Sequence, residues 1–181
     1  MPYFSSREIT LIIVFSVLWG ILNSLLSPIF FRMTNLPFLC DLIGFSVLVL
    51  TVWWIRRIGA ASAVGLLATV INFVFNPGGV HFLGFTVASI AFDLMTYLAG
   101  YKRIFKNRFF MVILMLLSSV VSAAIAGSII GAFFMSPAAL ERWGGVLGWA
   151  GLHAIGGIIG GFVGIVIIES LISRGFVPRG G

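Results

Sequence analysis

The sequence predicts an all-α polytopic membrane protein: one domain, residues 1–181, built as a six-transmembrane-helix bundle with both termini cytoplasmic. Three observations carry this. First, 60% of the residues are hydrophobic and 9% are charged, against about 25% charged in a typical soluble domain. Second, the apolar residues form long uninterrupted blocks and not amphipathic stripes. Third, nine of the 11 Lys and Arg residues fall on one side once the blocks are threaded back and forth. Eleven basic and five acidic side chains cannot solvate the surface of a soluble domain of this length, so the soluble-enzyme classes drop out.

The first block, Ile9–Leu26, follows Arg7 and is about 18 residues long, close to the span requirement of ~20. No small-x-small cleavage site follows it, so it reads as a retained span and not as a signal peptide. The other five spans are Leu39–Ile55, Gly59–Phe75, Phe82–Gly100, Phe109–Phe134 and Val146–Ser173. Breakers separate them at Ser27-Pro28, Asn76-Pro77-Gly78-Gly79 and Ser136-Pro137. The connections are short, so consecutive helices are antiparallel neighbours.

This threading groups Arg7, Arg56, Arg57, Lys102, Arg103, Lys106, Arg108, Arg174 and Arg179 on one side, and Arg32 and Arg142 on the other. The basic side is cytoplasmic by the positive-inside rule. The net charge of +6 is therefore an orientation signal, and nucleic acid is not an expected partner. The single cysteine, Cys40, rules out an intramolecular disulfide, a CxxC pair and a Cys-rich metal site. It reads as a small apolar filler.

Polar residues inside spans need an account. Ser62, Gly65, Thr69, Asn72 and Asn76 share one face of the third helix, and Thr86, Ser89, Asp93, Thr96 and Gly100 one face of the fourth. Both faces should point into the bundle or at each other. Asp93, counted from His81, is expected roughly 18 Å deep, near or just past the midplane. Two readings stand for it: a ligand-binding carboxylate facing a cavity, or a helix–helix hydrogen bond to Thr69 or His153. His153 is either a ligand group or a polar link between helices. Asp41, at the start of the second helix, either serves a ligand or sits at the positive end of the helix dipole. Asn23 and Asn72 lie in the same outer layer. Trp53 and Trp54 beside Arg56 and Arg57 look like an inner interfacial belt, as does Trp143 at the outer side, whereas Trp149 is one turn deeper and should face a cavity. Glu169 is within reach of Arg174, and Arg7 and Glu8 read as a solvated flank.

Small residues recur every fourth position: Ser16, Gly20 and Ser24; Ser119, Ala123, Gly127 and Gly131; and Gly156/Gly157, Gly160/Gly161 and Gly164. Such stripes let helices approach closely. Those of the fifth and sixth helices should pack inside the bundle, and that of the first either does the same or meets another membrane protein. There is no GxxxxGK[ST], GxSxG or HExxH, so an enzyme is not expected, nor a metal or cofactor.

Ile58-Gly59-Ala60-Ala61, Ala68 to Asn72, Asn76-Pro77-Gly78-Gly79, Leu83-Gly84-Phe85 and Phe92-Asp93, together with the stretch from Leu152-His153 onward, give the chain a family likeness. Over essentially its whole length it resembles the substrate-binding S components of energy-coupling-factor (ECF) vitamin transporters, the thiamine and hydroxymethylpyrimidine subgroup in particular. The resemblance implies a prokaryotic cell-membrane protein that captures a vitamin from outside. It then docks on a transmembrane T subunit driven by two cytosolic ATPases. It implies a ligand-binding set of Asp93, Asn72, His153, Trp149, Asn76, His81 and Asp41, with Asp93 balancing the charge of a thiamine-like cation. It also implies a T-subunit contact at Ser16 and Gly20, where the family's AxxxA pattern is replaced by Ser and Gly. Competing readings are a small self-sufficient channel or secondary transporter, and a ligand-free membrane scaffold.

Overall fold

A computed structural model describes residues 3–176 and 178; Arg179, counted among the basic residues above, lies outside the described residues. Among the described residues every regular element is helical. In chain order these are α1 (Ser6–Thr34), α2 (Phe38–Ile55), α3 (Ala60–Phe75), α4 (Leu83–Ala99), α5 (Tyr101–Lys106), α6 (Arg108–Phe134), α7 (Pro137–Glu141) and α8 (Gly145–Ser173). A single 3-10 turn, Val80–Phe82, leads into α4.

Five helical stretches are long and apolar enough to cross a membrane, and the chain is read as a multi-pass membrane protein. The remaining apolar helix, Ala60–Phe75, has 16 residues, about 24 Å at 1.5 Å per residue. Short helices α5 and α7 lie within two of the expected connections.

Helix α1 overruns its expected end. The break placed at Ser27-Pro28 does not occur; the helix carries Pro28 inside it and continues to Thr34. Proline removes one backbone hydrogen bond, a loss that long apolar helices accommodate when neighbours support them. The stop comes at Asn35, which takes a left-handed conformation (φ 58°) and returns its N–H to the Phe31 carbonyl at 2.7 Å. At its start, Ser5 and Glu8 form a reciprocal capping box, and Glu8 also pairs with Arg57 at 3.1 Å. Glu8 is thus a structural link to the α2–α3 turn and not merely solvated.

Helix α2 is the centre. It touches α1, α3, α4, α6 and α8, and Phe45, Leu48, Val49, Val52 and Trp53 on it are buried. Trp53 therefore belongs to the core and not to an interfacial belt. Around α2 the others run in the order α1, α3, α4, α6, α8. The meeting of the polar faces of α3 and α4 follows the expected register. Thr69 and Thr86 hydroxyls lie 2.6 Å apart, and Ser89 occupies the space a Cβ on Gly65 would fill.

Helix α8 presents glycine on two faces. A Cβ on Gly157 would lie 2.7 Å from both the Ala123 Cβ and the Ser119 carbonyl of α6. On the other face, Gly156, Gly160 and Gly164 admit Asp41, Phe45 and Val49 of α2. Ser46 of α2 donates to the Gly160 carbonyl at 2.9 Å across this seam. The stripe on α1 also packs internally. Ser16 is buried, and a Cβ on Gly20 would lie 2.7 Å from Ile71 of α3. Ser16 is thus buried and Gly20 lies against α3, which removes both as a surface for another subunit.

Most hydroxyls inside the bundle satisfy themselves. Ser16, Thr51, Thr69, Ser89, Thr96 and Ser119 each donate to a carbonyl one turn earlier. Gly160→Ala should lower stability by about 1–3 kcal/mol through overpacking. Gly151→Ala, where a Cβ meets nothing within 4 Å, should be neutral or stabilising by up to about 1 kcal/mol. Thermal unfolding of both variants in detergent checks this, and equal melting temperatures would contradict the tight α2–α8 seam.

Candidate functional site

One end of the bundle carries the basic connections; the other carries a cavity of about 440 Å³, within the ~300–1,000 Å³ usual for small-molecule sites. Its wall is built from the last turns of α1, the start of α2, the α3–α4 turn, the end of α6, and the first turns of α8.

Four candidate residues line it: Asn76, His81, Trp149 and His153. Asp41 stands behind His153, with His153 Nδ1 2.9 Å from Asp41 Oδ1. Both side chains are buried, at 2% and 0% exposure. His153 is thus tied to Asp41, not to Asp93. The indole of Trp149 and the ring of His153 lie one turn apart on α8, 5.4 Å between centroids and edge to face. Phe31 and Phe85 extend the aromatic wall, 6.2 Å from Trp149 and 5.8 Å from His153 respectively. Two buried nitrogens of this wall, Trp149 Nε1 and His153 Nε2, have no hydrogen-bond partner among the described residues. A buried donor or acceptor left unpaired costs about 1–3 kcal/mol, and these two belong to residues that line the cavity, where a ligand could pair them.

Asn72 is buried beside the turn rather than in the cavity wall. Its carbonyl accepts from the Asn76 N–H at 2.7 Å, and its side chain packs against Gly79. It shapes the loop that carries Asn76 and His81.

Asp93 lies at the opposite end. Its Oδ2 accepts from the Gly59 N–H (2.9 Å), the Ser62 N–H (3.0 Å) and the Ser62 hydroxyl (2.8 Å). Gly59, held at φ 89°, supplies no side-chain cap for α3, so Asp93 caps that helix from the neighbouring one. The helix–helix reading holds in kind, with Gly59 and Ser62 in place of Thr69 or His153; the cavity-facing reading does not fit. Helix α4 has only 17 residues and ends at Ala99, so Asp93 is six residues from its end, roughly 9 Å along the axis. Glu169, towards the end of α8, pairs with Arg108 at 2.9 Å, in place of the expected Arg174.

The cavity also uses residues that sequence reading left out of the site: Asn23, Ser27, Phe31, Arg32, Cys40 and Phe85. Ser27 donates to Asn23 Oδ1 at 2.9 Å. Asn23, Ser27 and Phe31 recur at every fourth residue, a helical stripe visible in the sequence once α1 is carried through Pro28. Among the described residues, no three His, Cys, Asp or Glu side chains are grouped as a metal site. In comparisons with protein-family models, curated proteins and solved structures, nothing matches the chain.

Asp93→Ala should destabilise the fold by about 1–3 kcal/mol by orphaning the α3 cap donors, while Asp93→Asn retains part of the cap. Denaturant titration of the two variants measures this. A wild-type-like midpoint for Asp93→Ala would contradict the capping role.

Proposed function

We propose that the chain is the membrane-embedded substrate-binding subunit of an ECF-type ABC transporter. In this reading it spans the membrane six times with both termini cytoplasmic. It captures an extracellular vitamin or precursor, thiamine or hydroxymethylpyrimidine, and delivers it through a T subunit and two cytosolic ATPases in a prokaryotic cell membrane. The observation that carries the proposal is the aromatic cavity at the weakly charged end, into whose wall two unpartnered buried nitrogens are built. Its supports are physical. The basic residues on the opposite connections put that end outside by the positive-inside rule. The wall offers ring faces for a planar heterocycle and a small set of polar groups to orient it, the usual composition of small-molecule sites. The counter-charge for a cation is Asp41, acting behind His153; Asp93 is occupied as a helix cap. The T-subunit contact lies elsewhere than Ser16 and Gly20, which are buried within the bundle.

The test is to purify the protein in detergent, identify any co-purifying small molecule by mass spectrometry, and titrate thiamine and hydroxymethylpyrimidine calorimetrically. Trp149→Ala and His153→Ala should each weaken binding about tenfold or more, and Asp93→Asn should leave affinity unchanged. Absence of binding to both compounds, with ion flux in liposomes, would replace this reading with a channel. With Cys40 replaced by Ser, single cysteines at Arg142 and Arg103 should be labelled from outside and from inside the cell respectively.

A further inference from the structure

The pair Asp41–His153 reaches from the centre of the bundle to the cavity wall. Asp41 lies in the first turn of α2, where the helix dipole favours an ionised carboxylate. An ionised carboxylate can only accept, so a neutral imidazole 2.9 Å from it presents its one ring hydrogen there, on Nδ1. With Nδ1–H committed to Asp41, the neutral ring has a lone pair and no hydrogen at Nε2. Trp149, one turn away, can only donate. The other charged or titratable groups that line the cavity are Arg32 from α1, Cys40 from α2 and His81 from the turn before α4. None of them appears as a hydrogen-bond partner of His153 or Asp41 among the described residues.

We infer that Asp41 sets the hydrogen-bond polarity of the cavity: it holds the His153 proton on Nδ1, so that Nε2 meets the ligand as an acceptor beside the Trp149 donor. Asp41 is then a positioning residue, buried behind the wall and acting through His153. The ligand edge that fits is a donor next to an acceptor, as in a planar heterocycle with an amino group beside a ring nitrogen. A ring carrying acceptors at both positions is opposed, because two lone pairs would face each other at Nε2. The consequence for ligand choice rests on the substrate-binding reading above; the tautomer does not.

Two experiments separate these. In the first, ligand-free protein labelled with 15N-histidine is examined by NMR, with His81→Asn used to assign the His153 signals. The expected result is a protonated Nδ1 and an unprotonated Nε2; a proton on Nε2 overturns the inference whatever the protein binds. In the second, two probes are titrated: 4-amino-5-hydroxymethyl-2-methylpyrimidine and its 4-methoxy counterpart, in which the 4-substituent beside the ring nitrogen is an acceptor instead of a donor. Wild type should prefer the amino compound by about tenfold or more. In Asp41→Asn, whose amide pairs with either tautomer, that ratio should fall towards one. Equal weakening of both probes with the ratio preserved would make Asp41 merely structural and overturn the inference. If wild type binds neither probe, the substrate-binding reading fails while the NMR result still decides the tautomer.

Discussion

The approach of α8 to its two neighbours is limited by the width of a side chain, and glycine removes that limit on both sides at once. Gly157 and Gly161 let α6 in; Gly156, Gly160 and Gly164 let α2 in. In lipid there is no hydrophobic drive to bring helices together, so close packing and interhelical hydrogen bonds must do it. The Ser46 bond to the Gly160 carbonyl belongs to this seam. So does the position of Asp41, which sits where a side chain on Gly156 would otherwise be. Only because that space is free can a carboxylate on the central helix reach His153. The cavity chemistry is therefore downstream of a packing constraint, and a site residue on α2 depends on the absence of side chains on α8.

The sequence made much of this architecture legible. Apolar blocks located the helices because a 16–29-residue helix built for lipid has few polar residues to confuse its limits. The polar stripes of α3 and α4 indicated their mutual contact, because a four-residue spacing has one structural meaning on a helix. The same logic failed where a local rule met a long-range compensation. Pro28 usually ends a helix, but α1 continues beyond it. That hid the Asn23, Ser27 and Phe31 stripe from the site. For Asp93 the helix–helix reading holds in kind, but its partners Gly59 and Ser62 lie 34 and 31 positions away, where no spacing rule points to them. The α5 helix, six residues long, was too brief to leave a periodic signal. The partners of Glu169 and His153 lie 61 and 112 positions away, and no spacing rule reaches that far.

The two interior aspartates show what an intramembrane carboxylate can be for. Each has one oxygen without a partner, Asp93 Oδ1 and Asp41 Oδ2. They differ at the other. Asp93 Oδ2 collects three donors from Gly59 and Ser62, with the N-terminal end of α3 behind them. Its charge is answered within the fold. Asp41 Oδ1 has the single contact to His153, and Oδ2 lies against Gly156. A buried carboxylate with one donor is electrostatically incomplete, and the incompleteness is transmitted through the imidazole to a nitrogen on the cavity wall. A ligand that brings a donor or a positive charge to that nitrogen supplies what the fold withholds. Depth in the membrane therefore does not separate a structural acid from a functional one. On the substrate-binding reading proposed above, the number of donors the fold itself provides does, with Asp41 left to the cavity and Asp93 to the helix cap.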